Sequence, residues 1–203
     1  MEPDQDVLDR WRAGDQSAGR ELFTRYFSQL YRFFANKCEE PDELIQTTML
    51  ALVKSKDQFA GRSSFKTYLF AIARNELWRF LRTQKRTVAF DPDMSSIAAI
   101  VTGAGSKLAR NEDHRALFAA LRSLPVEQQT LLELHYWEDL DAAALAEVLE
   151  RPVTTIRVYL SRARTALREA MLAQGAVPPS ALDSDENLDR FARTAAMPEK
   201  RRG

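Results

Sequence analysis

Four arginines, Arg157, Arg162, Arg164 and Arg168, fall within twelve residues, with Thr154 and Thr155 just before them and Val158 and Ser161 among them. A guanidinium offers a planar fork of donors that pairs with phosphate or with the edge of guanine, and the short side chains between the arginines leave room for a duplex to approach. The chemistry on offer is therefore recognition rather than bond breaking. Lone Cys38 and the two histidines, His114 and His135, make no set with metal-ligand or triad spacing, so a hydrolytic or metal-dependent enzyme is disfavoured and neither a cofactor nor a metal is expected.

The elements that must position these arginines follow from the neighbouring pattern. Asp141 can cap a helix over Ala142 to Leu149, with Leu145, Val148 and Leu149 on its apolar side. Arg151-Pro152 ends it, because the residue before a proline is pushed out of the α region and proline lacks a donor. A second helix from about Thr154 places Ile156, Leu160, Ala163 and Leu167 on one face. At ~100° per residue the opposite face carries Thr154, Val158, Ser161 and Thr165, rimmed by Arg157, Arg162 and Arg168. Taken alone, an arginine-bearing amphipathic helix is a solvated surface helix; after a short helix and a tight turn it is also the reading element of a helix-turn-helix.

The 203 residues, 45% of them hydrophobic, suffice for one or two domains with proper cores. Lys plus Arg equals Asp plus Glu at 29 each, but the charges are segregated. Asp4, Asp6, Asp9, Glu39, Glu40, Asp42 and Glu43 make the first part acidic, whereas Arg74, Arg79, Arg82, Lys85 and Arg86 form a basic run. Acidic and basic surfaces then face different partners. A single cysteine excludes an intramolecular disulfide, no apolar run reaches the ~20 residues of a membrane span, and the acidic N-terminus is wrong for a signal peptide. A cytoplasmic protein, monomeric when free and without membrane insertion, is the expectation.

The pattern predicts an all-α fold of two small helical domains joined by a flexible linker. Residues 6–86 form the first domain. Leu22, Phe23, Tyr26, Phe27, Leu30, Tyr31, Phe33 and Phe34 give it an aromatic stripe read as packing. Pro41-Asp42-Glu43 opens a helix with proline pre-set for the first turn, Phe59 to Ser64 is a loop whose serines can cap the next helix, and that helix runs from about Phe65 to Arg82. Residues 87–110, with Asp91-Pro92 and Gly103-Ala104-Gly105, read as the linker. Residues 111–172 form the second domain, broken at Pro125 and containing the helix-turn-helix. A tail, 173–203, follows, in which Leu188, Phe191, Ala192 and Ala195 can make one short amphipathic helix that folds back or binds a regulator.

The order of these parts resembles the extracytoplasmic-function (ECF) group of bacterial sigma-70 factors, over about Asp6 to Met171. Glu40-Pro41-Asp42-Glu43-Leu44-Ile45-Gln46-Thr47-Thr48-Met49 resembles their polymerase-docking helix, Phe59 through Asn75 the loop and helix that melt and read the downstream promoter element, and Leu121-Arg122-Ser123-Leu124-Pro125 with the helix-turn-helix and Arg162-Ala163-Arg164 the reader of the upstream, minus-thirty-five element. The resemblance implies binding to core RNA polymerase through Asp42, Glu43, Leu44, Gln46 and Met49; to the downstream element through Phe59, Arg62, Ser63, Ser64, Lys66, Arg74, Asn75, Arg79 and Arg82; and to the upstream element through Thr154, Thr155, Arg157, Val158, Ser161 and Arg162. It also implies promoter DNA and an anti-sigma factor as partners, and a non-enzymatic role in transcription initiation.

Elementary chemistry is compatible with these roles. Melting requires bases to leave the stack and be received by a pocket, which an aromatic and small polar groups can line. Phe59 as a core residue, Asn75 as an ordinary surface residue and Asp42 to Gln46 as a solvated helix start are the structural alternatives. The chain departs from the resemblance at Glu150 or Arg151, where a turn glycine is usual, at Thr154-Thr155 for Gly-Thr, at Val158-Tyr159 for Ser-Arg, and at Tyr68 for tryptophan. Val158 would read by apolar contact, as with a thymine methyl. Two other readings stand beside this one: a dimeric helix-turn-helix regulator independent of polymerase, and a decoy that binds polymerase or an anti-sigma factor without reading promoters.

Overall fold

A computed structural model describes residues 1–84, 90–101, 111–175 and 178–196, with side chains through 194. Among them no strand forms, and the helices are α1 (Asp4–Arg12), α2 (Gln16–Ala35), α3 (Pro41–Ser55), α4 (Phe65–Gln84), α5 (Ile97–Ile100), α6 (Glu112–Ser123), α7 (Val126–Trp137), α8 (Ala142–Leu149), α9 (Val153–Gln174) and α10 (Asp185–Ala196). Helices α1 to α4 build the first domain and α6 to α9 the second.

Local chemistry accounts for the element ends. Asp15 caps α2 by accepting from the amides of Ser17 and Ala18, Pro41 occupies the first turn of α3 with Asp42 and Glu43 beside it, and Ser64 Oγ accepts from Thr67 N at 3.0 Å to open α4. Asn111 and Asp141 cap α6 and α8 in the same way. Each cap satisfies amides that the helix itself leaves orphaned.

The first core gathers Leu8, Trp11, Leu22, Leu30, Phe33, Phe34, Leu52, Leu69, Phe70 and Leu77. The second is built around Phe118, Leu121, Leu132, Leu145, Val148, Ile156, Leu160 and Leu167. The aromatic stripe of α2 divides. Tyr26, Phe33 and Phe34 are buried, but Phe23 and Phe27 remain 37% exposed, because α2 is apolar over more of its circumference than its neighbours cover.

The part of the linker in view, 90–101, follows a fixed course. Phe90 stacks edge-on against Trp78, Ile97 is fully buried, and the Ser95 carbonyl accepts from Val126 N at 2.8 Å. The loose connection expected from its composition is thus pinned to both domains here. Residues 85–89 and the glycine-containing stretch 102–110 lie outside the described residues, as does the side chain of Ala195.

The tail docks on the second domain. Leu182, Leu188 and Ala192 are buried, and Trp137 Nε1 donates to the Ala192 carbonyl at 2.9 Å.

Candidate nucleic-acid interface

The helix-turn-helix forms as the apolar periodicity requires. Ile156, Leu160, Ala163, Leu167 and Met171 are buried beneath α9, which leaves Thr154, Arg157, Val158, Ser161 and Arg162 exposed and Thr155 half-buried. Val158 is 48% exposed, free to meet an apolar group. Glu150 adopts the left-handed conformation (φ 54°) that closes α8, a shape glycine takes at no steric cost. Arg151 holds the turn by pairing with Glu127 at 3.0 Å and Asp93 at 2.8 Å. Glu127 and its neighbour Asp93 draw the Arg151 guanidinium further into its charged form, so Arg151 is a structural clamp.

Arg168 is withdrawn from the rim, and Arg164 beside it is likewise engaged by the tail. Arg164 Nε bonds Asp189 of α10 at 3.1 Å, and Arg168 Nη2 pairs with Asp185 at 2.6 Å while its Nε donates to the Leu182 carbonyl. The arginine rim assigned from the sequence therefore reduces to Arg157 and Arg162 where Arg168 was expected. The tail that engages Arg168 lies some seventeen positions further along the chain, beyond any helical period.

The downstream set divides. Arg62, Ser64, Asn75, Arg79 and Arg82 are exposed, and Ser63 is half-buried. Arg79 also pairs with Glu76 at 3.2 Å. Phe59 is instead a core residue: its ring contacts Phe65 and Tyr68, and the Arg12 guanidinium lies over it. Arg12 also bonds the Phe59 carbonyl at 2.5 Å, which sets the loop's entry. Phe59, Arg62, Ser63, Thr67 and Tyr68 line a small cleft of 230 Å³ beside this loop, with Glu147 of the second domain at its edge.

Two further members of the set are occupied. Arg74 is only 7% exposed; its Nε donates to the Val148 carbonyl at 2.9 Å and its Nη2 pairs with Glu150 at 2.8 Å. Lys66 Nζ donates to the Glu138 carbonyl at 2.6 Å. Neither is free for phosphate in this arrangement.

On α3, Asp42, Glu43 and Gln46 are exposed, Met49 is half-buried and Leu44 is buried. Beside them runs an apolar groove of 400 Å³ formed with α2 and lined by Phe23, Phe27, Ile45, Met49, Leu50 and Val53. Leu50 is 53% exposed and Val53 nearly as much. Sequence reasoning missed this surface, having assigned Phe23 and Phe27 to the core; the signal was the excess width of the α2 apolar stripe. Among the described residues no cluster of three or more His, Cys, Asp and Glu could hold a metal ion, and no helix is long and apolar enough to cross a membrane.

Comparison with known proteins agrees with this organisation. The Sigma-70 region 2 family model matches residues 22–87 and the Sigma-70 region 4 family model residues 114–167. The ECF RNA polymerase sigma-E factor of Haemophilus influenzae is 27% identical over 173 residues, 79% of this chain and 91% of that protein. The factor of the same name from Escherichia coli K12 is 27% identical over 176 residues, 81% of this chain and 92% of that one. In fold, the chain is similar to CnrH, solved in complex with the cytosolic domain of CnrY, with a TM-score of 0.63, 20% identity, and 84% of this chain and 97% of that one covered. It is also similar to the sigma factor RpoE of Bartonella quintana, solved with the anti-sigma factor NepR, with a TM-score of 0.56, 20% identity, and coverage of 75% and 95%.

Proposed function

The chain belongs to the ECF group of the sigma-70 family, factors that bind core RNA polymerase and direct initiation at specific promoters, and we propose how its surfaces divide that work. The upstream promoter element is read by α9 through Thr154, Thr155, Arg157, Val158, Ser161 and Arg162. The observation that carries this reading is the exposure of that face above a fully buried apolar face. Arg157 and Arg162 supply phosphate or guanine contacts and Val158 an apolar one.

The first domain melts and reads the downstream element. Arg62, Ser63, Ser64, Asn75, Arg79 and Arg82 offer donors along one side of the loop and α4, with Lys66 and Arg74 joining once released from the second domain. Phe59 acts here by shaping the loop, since its ring belongs to the core.

Core polymerase docks on α3 and the adjoining groove. Asp42, Glu43 and Gln46 give a polar rim, and Phe23, Phe27, Leu50 and Val53 an exposed apolar floor, the composition of a protein interface with a desolvated centre. The protein works in the cytoplasm without catalytic chemistry of its own, and an anti-sigma factor, as in the complex of the RpoE relative, restrains it.

Reconstituted transcription tests the whole reading. Core polymerase with the purified protein should initiate at discrete sites on genomic fragments that share an upstream motif, and Arg157→Ala with Arg162→Ala should abolish those starts. Duplex binding as a dimer without polymerase would instead favour a free regulator, and polymerase binding without starts a decoy.

A further inference from the structure

Helix α1 precedes the residues matched by the region 2 family model, which begin at 22, yet it reaches the loop assigned to the downstream element. Arg12, the last residue of α1, extends its guanidinium to the end of the helical run formed by α3 and a single 3₁₀ turn, Lys56–Gln58. Nε and Nη2 donate to the Lys56 carbonyl at 3.0 and 2.5 Å, and Nη2 donates to the Phe59 carbonyl at 2.5 Å. Carbonyls at a helix end have no donor within the helix and lie at the negative end of its dipole, so a cation is the favoured partner. Asp9 holds the other side of the fork, 3.1 Å from Nη1, and the guanidinium carbon is 6.0 Å from the centre of the Phe59 ring.

Other ties secure the two ends of the loop. The Tyr68 hydroxyl donates to the Ser55 carbonyl at 2.9 Å, and Lys56 Nζ lies 5.9 Å from the centre of the Trp11 ring. On the far side, Ser64 caps α4. Between these anchors Ala60, Gly61 and Arg62 are exposed. Gly61 takes φ 67°, a conformation open to glycine without strain, and a β-carbon there would lie 3.8 Å from Gln5 Oε1 of α1. An exposed tip thus stands between fixed ends, and α1 supplies the fixture on the entry side.

We propose that Arg12 is a positioning residue for promoter opening. By bridging the Lys56 and Phe59 carbonyls it presets the loop, so that the cleft lined by Phe59, Arg62, Ser63 and Tyr68 exists before any base leaves the stack. This inference rests on the assignment of that loop to the downstream element. Without the bridge the loop must order at the moment a base is received, and that lost entropy adds to a barrier already raised by unstacking. The effect falls on opening rather than on loading, because Arg12 lines neither the groove between α2 and α3 nor the exposed face of α9.

The test uses the full-length chain, wild type and Arg12→Met, which keeps an apolar stem beside Phe59 but removes the fork. On the free protein, trypsin reads the bridge itself by cutting after exposed Arg62, since cleavage requires the loop to open locally; the variant should be cut about tenfold faster with its helix content unchanged. With core polymerase, initial RNA synthesis is then compared on a duplex promoter and on the same promoter with a non-complementary bubble over the melted region. The variant should compete equally for core enzyme and initiate about tenfold more slowly on the duplex, the rate equivalent of one charge-assisted hydrogen bond. On the bubble its rate should approach that of the wild type. A merely structural role would instead reduce the active fraction and lower both templates by the same factor.

Equal cleavage of variant and wild type at Arg62, equal initiation on the duplex, or equal losses on duplex and bubble would each overturn the role of Arg12. Should Arg12→Met fail to fold, Arg12→Lys decides by the same comparisons, because lysine keeps the charge and the stem but lacks the planar fork. Failure of the wild type to initiate at discrete sites would sink the assignment of the loop, and this role with it, while cleavage at Arg62 would still show whether α1 holds the loop.

Discussion

Arg164 of the recognition helix and Asp189 of the C-terminal helix form an ion pair at 3.1 Å, with the Tyr136 hydroxyl donating to the same carboxylate at 2.7 Å. Burial and the Asp189 charge both hold the Tyr136 phenol in its protonated form. One carboxylate from the tail thus joins α7 to α9, and the tail completes the second domain.

Asp189→Ala should therefore destabilise the tail's docking by about 1–3 kcal/mol, the cost of leaving partly buried donors unmatched. Leu188→Ala should have an effect of about 2–5 kcal/mol, limited by the free energy of docking itself, since α10 can detach. Hydrogen exchange of the α7 and α10 amides reports this directly; unchanged protection in both variants would mean that α10 contributes nothing to the domain.

Val158→Ala should leave the fold unchanged within about 0.5 kcal/mol, as for most exposed positions. It should nonetheless cost roughly 1–3 kcal/mol of discrimination at one base pair of the upstream element. In vitro transcription from a promoter library, with wild type and variant compared, should show relaxed preference confined to one position. Uniformly weaker starts across the library would mean that Val158 is not a base contact.

Leu50→Glu places a charge on the apolar floor between α2 and α3. Affinity for core polymerase should fall by at least about 1 kcal/mol if Leu50 belongs to the interface centre, with the melting temperature unaffected because the side chain is half exposed. Equal competition by wild type and variant for labelled sigma factor on core enzyme would exclude this groove from the interface.

His135 makes the stability of the second domain acid-sensitive. Burial is the main cause that lowers its pKa, reinforced by Arg164 and Arg193 and opposed by Asp189 and the Leu140 carbonyl. Nε2 lies 3.1 Å from an Arg164 nitrogen that can only donate, so Nε2 accepts and Nδ1 carries the hydrogen toward Leu140. The unfolded chain takes up a proton near pH 6.5, whereas the native imidazole resists it until lower pH. Stability should thus decline as pH drops through about 6.5 and level off below the native value. Thermal melts of wild type and His135→Gln across this window should converge in pH dependence only if another group is responsible.

Much of the fold was legible locally. Asp141, the Arg151-Pro152 break and the apolar positions from Ile156 to Leu167 specify two helices and a turn because helical neighbours recur every three or four residues, and a cap or a proline acts on amides in its own turn. The exposed face of α9 follows directly, being whatever the apolar face leaves. The opening of α3 at Pro41, the Ser64 cap and the tail's amphipathic helix were readable for the same reason.

Tertiary structure decided what the same residues do once distant segments meet. No periodicity separates Phe23 and Phe27 from Phe33 and Phe34; only the packing of α1, α3 and α4 leaves the first pair in a groove. Arg74 and Lys66 look like free phosphate binders until α7 and α8, more than seventy positions away, supply Glu138, Val148 and Glu150. Lys37, an unremarked surface charge in the sequence, becomes buried because Glu133 lies opposite it across 96 positions. Hydrophobic period and capping are short-range properties written in consecutive residues, whereas the pairing of charges depends on which faces the folded domains bring together.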